Sequence, residues 1–166
     1  MREEFQDSPI LDPDAIANSL NATSLTTGSA IDAGRQVLSK AERFIADGQS
    51  LTVETTLSGH TYLRMMEKAK MLGYFVVLIY VATTSVEINI ERIRNRVILG
   101  GHDVPEEDQR RRYSRSLANA AKALMIADEA VILDNSGTSY VKLAVKRNSG
   151  IEIHEPLPVW AEFLRE

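Results

Sequence analysis

Residues 74–81 read YFVVLIYV, an uninterrupted run of apolar side chains. A strand that is buried on both faces of a parallel sheet has this pattern. A second such run, AVIL at 130–133 followed by Asp134, predicts another buried strand. Apolar residues at helical spacing predict helices over Ser29–Asp47, Ser58–Leu72, Ser85–Leu99 and Pro105 to about Ala127. Strands that alternate with helices in this way predict an α/β domain with a doubly wound parallel sheet.

Three weaker elements complete the pattern. The β-branched segment Ser50–Thr56 predicts a short strand, Tyr140–Val145 a late strand, and Pro156–Leu164 a terminal helix. The chain has no repeats and no linker-like composition, and its 166 residues are of single-domain size. We therefore expect one domain over 1–166.

Composition excludes several classes of function. There is no cysteine, so disulfides and thiol nucleophiles are excluded. The longest apolar run, Tyr74–Ala82, is nine residues, whereas a membrane helix needs about 20. The N-terminal segment has no signal-peptide character. A net charge of −4 argues against a general nucleic-acid binder. We expect a cytoplasmic protein that binds neither membrane nor nucleic acid.

Acidic side chains lie at the ends of two predicted extended segments: Asp14 just past Ser8–Leu11, and Glu54 at the end of the strand LTVETT (51–56). Ligands of doubly wound folds bind beyond the carboxyl ends of the strands, so Asp14 and Glu54 are candidate catalytic residues. Thr55 and Thr56 place hydroxyl groups beside Glu54. Two structural alternatives stay open: Asp12 or Asp14 caps a helix that begins at Pro13, and Glu54 lies at the edge of its strand.

The arginines are unevenly distributed. Seven of the thirteen fall between Arg92 and Arg115, and no lysine lies between Met71 and Ala121. They occupy two predicted helices joined by Gly100-Gly101, and Arg112 and Arg115 are spaced to share one helix face. Arginine alone, without lysine, indicates planar recognition of phosphate or carboxylate, and the pair of glycines indicates a hinged lid. The alternative is a solvated helix pair neutralised by its own glutamates and aspartates.

Several segments, in order and spacing, resemble the zeta-toxin-like branch of the P-loop kinases. They are LDPDAIA (11–17), AGRQVL (33–38), VETTLSGHTYLR (53–64), ERIRNRVILGGHDVPEEDQRRRYSRSLAN (91–119) and ILDNSG (132–137). The resemblance implies a parallel sheet of strand order 2-3-1-4-5 and a reaction that uses ATP with Mg²⁺. The γ-phosphoryl group would pass to an acceptor hydroxyl, which in the best-known members belongs to a UDP-activated N-acetyl amino sugar. A protein antitoxin is the partner that such toxins imply.

The resemblance also implies roles for matching residues. Asp14 would accept the proton of the acceptor hydroxyl, and Glu54 would position the acceptor or metal-bound water beside Thr55 and Thr56. The lid arginines that neutralise the transferring phosphate would be Arg112 and Arg115. Further expected contacts are Arg35 and Arg96 with the substrate and Asp134 and Asn135 with the nucleotide. No side chain is assigned as a direct metal ligand.

The sequence departs from these kinases at one decisive motif. They carry an apolar strand and a G-x-x-x-x-G-K-[ST] phosphate-binding loop ahead of the DPD segment, and no Gly-Lys-Ser or Gly-Lys-Thr occurs in the 166 residues. The expectation is an N-terminally truncated kinase domain that lacks its first, central strand and is inactive by itself. The gap would leave a groove that favours self-association.

Two further functions remain as alternatives. One is a non-catalytic remnant that binds phosphate or a protein partner. The other, nucleic-acid binding through the arginine helices, is disfavoured by their acidic flanks and few aromatic side chains.

Overall fold

The structure of the chain is a computed structural model. It describes residues 8–12, 27–101 and 103–165, and the candidate base Asp14 lies outside them. The chain forms two compact units, the first ending at Thr55 and the second beginning at Thr56.

In the first unit, two short strands pair beside a long helix. Strand β1 (Ile10–Leu11) lies parallel to β2 (Thr52–Val53), and helix α1 spans Thr27–Ala46. The pairing continues beyond the strands, because the Glu54 N–H donates to the Leu11 carbonyl at 3.0 Å. Val37, Ala41 and Ile45 are buried at a spacing of four residues. This spacing gives α1 the apolar stripe that its sequence predicts.

The second unit alternates helices and strands and then ends in a meander. Its elements are α2 (His60–Met71), β3 (Val77–Ala82), α3 (Val86–Ile98), α4 (Glu106–Ile126), β4 (Glu129–Asp134), β5 (Val141–Arg147), β6 (Gly150–Ile153) and a 3₁₀ helix (Val159–Arg165). Each predicted helix and strand is present in this unit. β6 was not predicted, and the predicted terminal helix is a 3₁₀ helix.

One mixed sheet organises the second unit, with strand order β3-β4-β5-β6. β3 and β4 run parallel, in register from Val77 opposite Glu129 to Ala82 opposite Asp134. β5 and β6 are antiparallel to their neighbours. The predicted α/β class is therefore confirmed, and the observed four-stranded sheet is mixed.

One face of this sheet carries the core. Tyr80 of β3 and Ile132 of β4 are buried, and Ala120 and Ala123 of α4 are fully buried in the same cluster. Because alanine is small, it allows α4 to approach the strands closely. Burial of a side chain such as Ile132 stabilises the fold by about 1.5–3 kcal/mol. The packing of α4 on this face fixes the position of the arginines that the helix carries.

The opposite face of β3 is open. Ile79 and Val81 alternate with the buried Tyr80 and are 57% and 43% exposed. The prediction that 74–81 is buried on both faces is therefore wrong, because these two side chains of β3 are exposed. Within the second unit, β3 is the first strand of the sheet and pairs on one side only, with β4. Separately, none of the helices described is long and apolar enough to cross a membrane.

A lysine from the sheet closes the C-terminal end of α4. The Lys146 ammonium donates to the carbonyls of Leu124 and Ala127, both at 2.7 Å, and to that of Met125 at 3.2 Å. The last turn of α4 has no basic residue of its own. A cation from β5 therefore satisfies the last carbonyls and complements the helix dipole.

We expect Lys146→Met to destabilise the protein by about 1–2 kcal/mol, because it keeps the apolar stem and removes hydrogen bonds from a charged donor. Urea unfolding followed by circular dichroism measures the effect. Lys142→Met, an exposed change on the same strand, is the matched control and should cost less than about 0.5 kcal/mol. Equal stability of the two variants would contradict the capping role.

Candidate functional site

The predicted arginine helices form a hairpin, α3 followed by α4, directly after β3. α3 ends in a hydrogen-bonded cap: the Gly100 N–H donates to the Val97 carbonyl and the Gly101 N–H to the Arg96 carbonyl, both at 2.9 Å. Gly100 has a φ of +87°, and a Cβ at Gly101 would lie 2.5 Å from Cγ of Arg96. The two glycines therefore form a Schellman cap. Hinge motion at this position stays a prediction.

Several arginines of the hairpin are neutralised within it. Arg110 bonds to Glu87 of α3 and to Glu106, each at 2.7 Å, and Arg94 bonds to Glu106 at 2.9 Å. The hydrogen bonds from Arg110 hold the pKa values of Glu87 and Glu106 below their ordinary values. Arg111 pairs with Asp108 at 2.5 Å. For these arginines the solvated, charge-paired alternative is the correct description.

Two arginines of α4 differ from these. Arg112 and Arg115 are exposed, and neither guanidinium group forms a hydrogen bond or ion pair with any residue that the structure describes. Their spacing places them on one face of α4, since residues three apart on a helix are neighbours. We call Arg112 and Arg115 the arginine face. Two cations side by side without an anion are electrostatically unfavourable, so this face suits an anionic ligand.

A buried asparagine lies farther along the same side of α4. Asn119 is 4% exposed, and its side-chain amide donates to the Leu57 carbonyl at 2.8 Å. Arg115 precedes Asn119 by four residues, which corresponds to about 6 Å along the helix axis. The Asn119 bond therefore brings the segment around Leu57 to the helix that carries the arginine face.

Leu57 has an unusual backbone. Its φ is +55°, and it is the one residue other than glycine with positive φ among the residues described. Leu57 is also buried, at 4% exposure. A bulky residue in the left-handed region costs about 1–2 kcal/mol. Strain of this kind persists only where the surrounding structure fixes it, and it is concentrated at functional sites.

Hydroxyl groups flank Leu57 on both sides. Thr56 Oγ1 and Ser58 Oγ lie 3.0 Å apart, and Thr56 is exposed. We call Thr56–Ser58 the hydroxyl turn. The structure thus brings one predicted substrate residue, Thr56, to the helix of Arg112 and Arg115.

Three other predicted site residues, Glu54, Thr55 and Arg35, belong to the first unit. Glu54 is exposed and lies just after β2, where its N–H bonds to Leu11, and Thr55 is half-buried beside it. Arg35 is exposed on α1. Arg96 is exposed on α3 of the second unit, and its main-chain carbonyl accepts the bond of the Schellman cap.

The predicted nucleotide residues lie at the carboxyl end of β4. Asp134 is buried, and it accepts bonds from the Ser136 N–H at 2.8 Å, the Ser136 hydroxyl at 3.0 Å and Trp160 Nε1 at 2.9 Å. Burial by itself raises the pKa of Asp134, but these bonds and the nearby Arg92 outweigh it and hold that pKa below its ordinary value. The carboxylate therefore shapes the turn and holds the 3₁₀ helix.

Loops after β3 and β4 meet beside this carboxylate. The Asn135 N–H donates to the Ala82 carbonyl at 2.8 Å, and the Thr84 N–H donates to Ser136 Oγ at 2.7 Å. Arg92 reaches the Gly137 carbonyl at 2.9 Å. Asp134 and Asn135 thus belong to a hydrogen-bonded corner at the carboxyl ends of β3 and β4, which we call the strand-end corner.

Four members of these two sites were not predicted from the sequence: Asn119, Leu57, Ser136 and Trp160. An asparagine inside the apolar stretch SLANAAKAL (116–124) is a detectable signal, because asparagine is unfavourable within a helix unless its side chain has a partner. No local signal marks Leu57. Its conformation depends on a contact with a residue 62 positions away.

We expect Asp134→Asn to destabilise the protein by about 1–3 kcal/mol at pH 7, because an amide nitrogen then faces hydrogen-bond donors. The folded-state pKa of Asp134 is depressed, so its contribution is complete above the unfolded value of about 3.9 and is lost as the pH falls through the folded value. The difference from wild type should therefore shrink below about pH 4.

Fluorescence of Trp160, the one tryptophan of the chain, reports this unfolding at pH 3 and pH 7. Glu129→Gln on the same strand is the control and should change stability by less than about 0.5 kcal/mol at either pH. A destabilisation by Asp134→Asn that does not depend on pH would contradict the role of the ionised carboxylate.

The described residues contain no candidate cluster of metal ligands. Within residues 8–12, 27–101 and 103–165, no group of three or more His, Asp or Glu side chains is placed to hold a metal ion.

Comparison with known proteins finds a relative of this chain. No protein-family model matches the chain, and no solved structure gives a significant match. An uncharacterized protein of Haemophilus influenzae is 36% identical over 104 residues, which cover 63% of this chain and 74% of that protein. At this identity and coverage, the chain belongs to the same protein family as the Haemophilus influenzae protein.

Proposed function

We propose that this chain forms the acceptor and lid parts of an ATP-dependent phosphotransferase similar to the zeta-toxin-like kinases. The arginine face carries the proposal: Arg112 and Arg115 are exposed, share one side of α4 and make no ion pair within the described part of the chain. The hydroxyl turn is tied to the same helix through Asn119. A positive surface beside hydroxyl groups suits an anionic, oxygen-rich group such as phosphate.

Arg112 and Arg115 differ from neighbouring arginines of the hairpin, whose guanidinium groups are paired with carboxylates. Arg110 and Arg111 adjoin them in sequence and are both engaged with carboxylates. Arginine offers a planar set of donors that matches two oxygens of a phosphate at once. In phosphoryl transfer, such side chains neutralise charge on the transferring group, and positioning and electrostatics provide most of the catalysis. Arg112 and Arg115 would have this role.

The remaining roles follow the resemblance. Asp14 would accept the proton of the acceptor hydroxyl, and Glu54 would orient the acceptor. Further contacts with the substrate would come from Thr55, Thr56, Arg35 and Arg96. A nucleotide-activated sugar is the acceptor class, and a protein antitoxin is the expected inhibitor.

In this proposal only one of the two predicted nucleotide residues of the strand-end corner contacts the nucleotide. Both oxygens of Asp134 already accept hydrogen bonds, so this residue would shape the turn from within. Contact with the nucleotide would fall to Asn135, which is half-buried.

A doubly wound sheet is the finer part of the proposed fold. Two observations support it: β1 pairs with β2 in parallel, and β3 pairs with β4 in parallel. The strand order 2-3-1-4-5 contains two such parallel pairs, 2-3 and 4-5. The open edge of β3 and its segment 73–84, which has no charged residue, also suit a further strand, because solvent-exposed edges are usually protected by charge.

ATP binding is assigned to no loop of the 166 residues. They contain no G-x-x-x-x-G-K-[ST] segment, and such a loop supplies the backbone N–H groups, the lysine and the hydroxyl that hold phosphate and Mg²⁺. The described residues offer no metal cluster in its place. We therefore expect these 166 residues alone to bind phosphate and not to transfer it.

The arginine face should bind inorganic pyrophosphate, and calorimetric titration at low ionic strength measures the affinity. We expect the double variant Arg112→Gln, Arg115→Gln to bind at least about tenfold more weakly, because each lost charge-assisted hydrogen bond contributes about 1.5–3 kcal/mol.

Arg111→Gln is the matched control for this experiment. It removes one positive charge from the same helix turn, but from a guanidinium already paired with Asp108, so it should change the affinity by less than about twofold. If the control and the double variant weaken pyrophosphate binding equally, the loss comes from a lower positive charge on α4 in general, and the specific role of Arg112 and Arg115 is contradicted. Unchanged binding by the double variant would contradict the proposed function.

A further inference from the structure

We infer that Asn119 is a positioning residue that holds the hydroxyl turn, Thr56–Ser58, in the conformation that completes the phosphate site of the arginine face. This inference rests on the proposed function. It adds a second contact element, the hydroxyl turn, and a residue that acts on phosphate only through that turn.

The conformation of the hydroxyl turn has to be stabilised by residues outside the turn. Leu57 has a φ of +55°, a region that side chains other than glycine and asparagine rarely adopt. A free segment of this sequence would therefore prefer an extended backbone. The amide of Asn119 donates to the Leu57 carbonyl at 2.8 Å, within the protein interior. This bond and the burial of the Leu57 side chain fix the peptide in its strained conformation.

The strained conformation has a chemical consequence. It brings Thr56 Oγ1 and Ser58 Oγ to 3.0 Å from one another. Two adjacent hydroxyl groups can both donate to the oxygens of a tetrahedral anion. In an extended segment, side chains of residues i and i+2 have β-carbons about 7 Å apart, so the pair would be separated.

Asn119 also links the turn to the charges. Arg115 and Arg112 precede it by four and seven residues, which corresponds to about 6 Å and 10 Å along the axis of α4. Positions with these spacings lie on one side of a helix. One rigid helix therefore carries both the arginines and the residue that fixes the hydroxyl turn, so their relative positions do not depend on loop motion.

Asn119→Ala tests this assignment with the same pyrophosphate titration, performed on the full chain well below its unfolding temperature. We expect at least tenfold weaker binding. Lys146→Met is the control, because it weakens the other end of the same helix and touches neither the turn nor the arginines. It should bind as wild type does.

The outcomes separate this inference from the proposed function. Loss of affinity in Asn119→Ala with normal affinity in Lys146→Met supports positioning. Normal affinity in Asn119→Ala overturns the positioning role. The proposal for Arg112 and Arg115 is then decided separately by the double variant. If wild type binds no pyrophosphate, both are overturned. Equal losses in Asn119→Ala and Lys146→Met overturn the inference, since the effect is then that of helix stability alone.

A second measurement uses wild type only and does not depend on a variant that folds. The side-chain NH₂ of Asn119 and the backbone N–H of Ser58 give separate signals in a proton–nitrogen correlation spectrum. Both should shift in step with occupancy during titration with pyrophosphate, because the ligand would engage the turn that they hold. Binding that shifts arginine signals and leaves these two unmoved would overturn the role of the turn.

Discussion

The packing of α4 on the β3–β4 pair is the constraint on which the rest of the second unit depends. Ala120 and Ala123 are fully buried in the cluster that contains Ile132, so the helix can neither rotate nor slide without opening the core. The same packing buries Asn119, whereas Arg112 and Arg115, on the same side of α4 but nearer its N-terminus, are exposed. The chemistry of the surface is therefore set by the packing of the interior.

Much of this architecture was accessible from periodicity. The start of α4 after Pro105 and the course of β3 and β4 follow local spacing and helix-boundary signals. The open face of β3 was not accessible, because a run such as YFVVLIYV indicates that a strand is apolar and does not specify what covers it. The mixed sheet was missed for a related reason. Strand direction depends on how the chain returns after Asp134, and no residue of that turn encodes it alone.

The candidate site divides in the same way. The clustering of arginines and the assignment of Thr56 as a candidate substrate residue were both accessible from the sequence. Which arginines lack a carboxylate was not, because Arg110 takes a partner 23 residues away in Glu87. Likewise, the Asp134 bond to Trp160 spans 26 residues. Long-range hydrogen bonds thus decided which of the predicted residues are structural and which are available to a ligand.

A crystal structure of the chain with pyrophosphate tests the central claim most directly. We expect the anion between the guanidinium groups of Arg112 and Arg115, within hydrogen-bond distance of both, with the Thr56 and Ser58 hydroxyls on its other side. Pyrophosphate bound elsewhere, or an arginine face that turns toward Asp108 and other carboxylates while the ligand occupies a different surface, would contradict it.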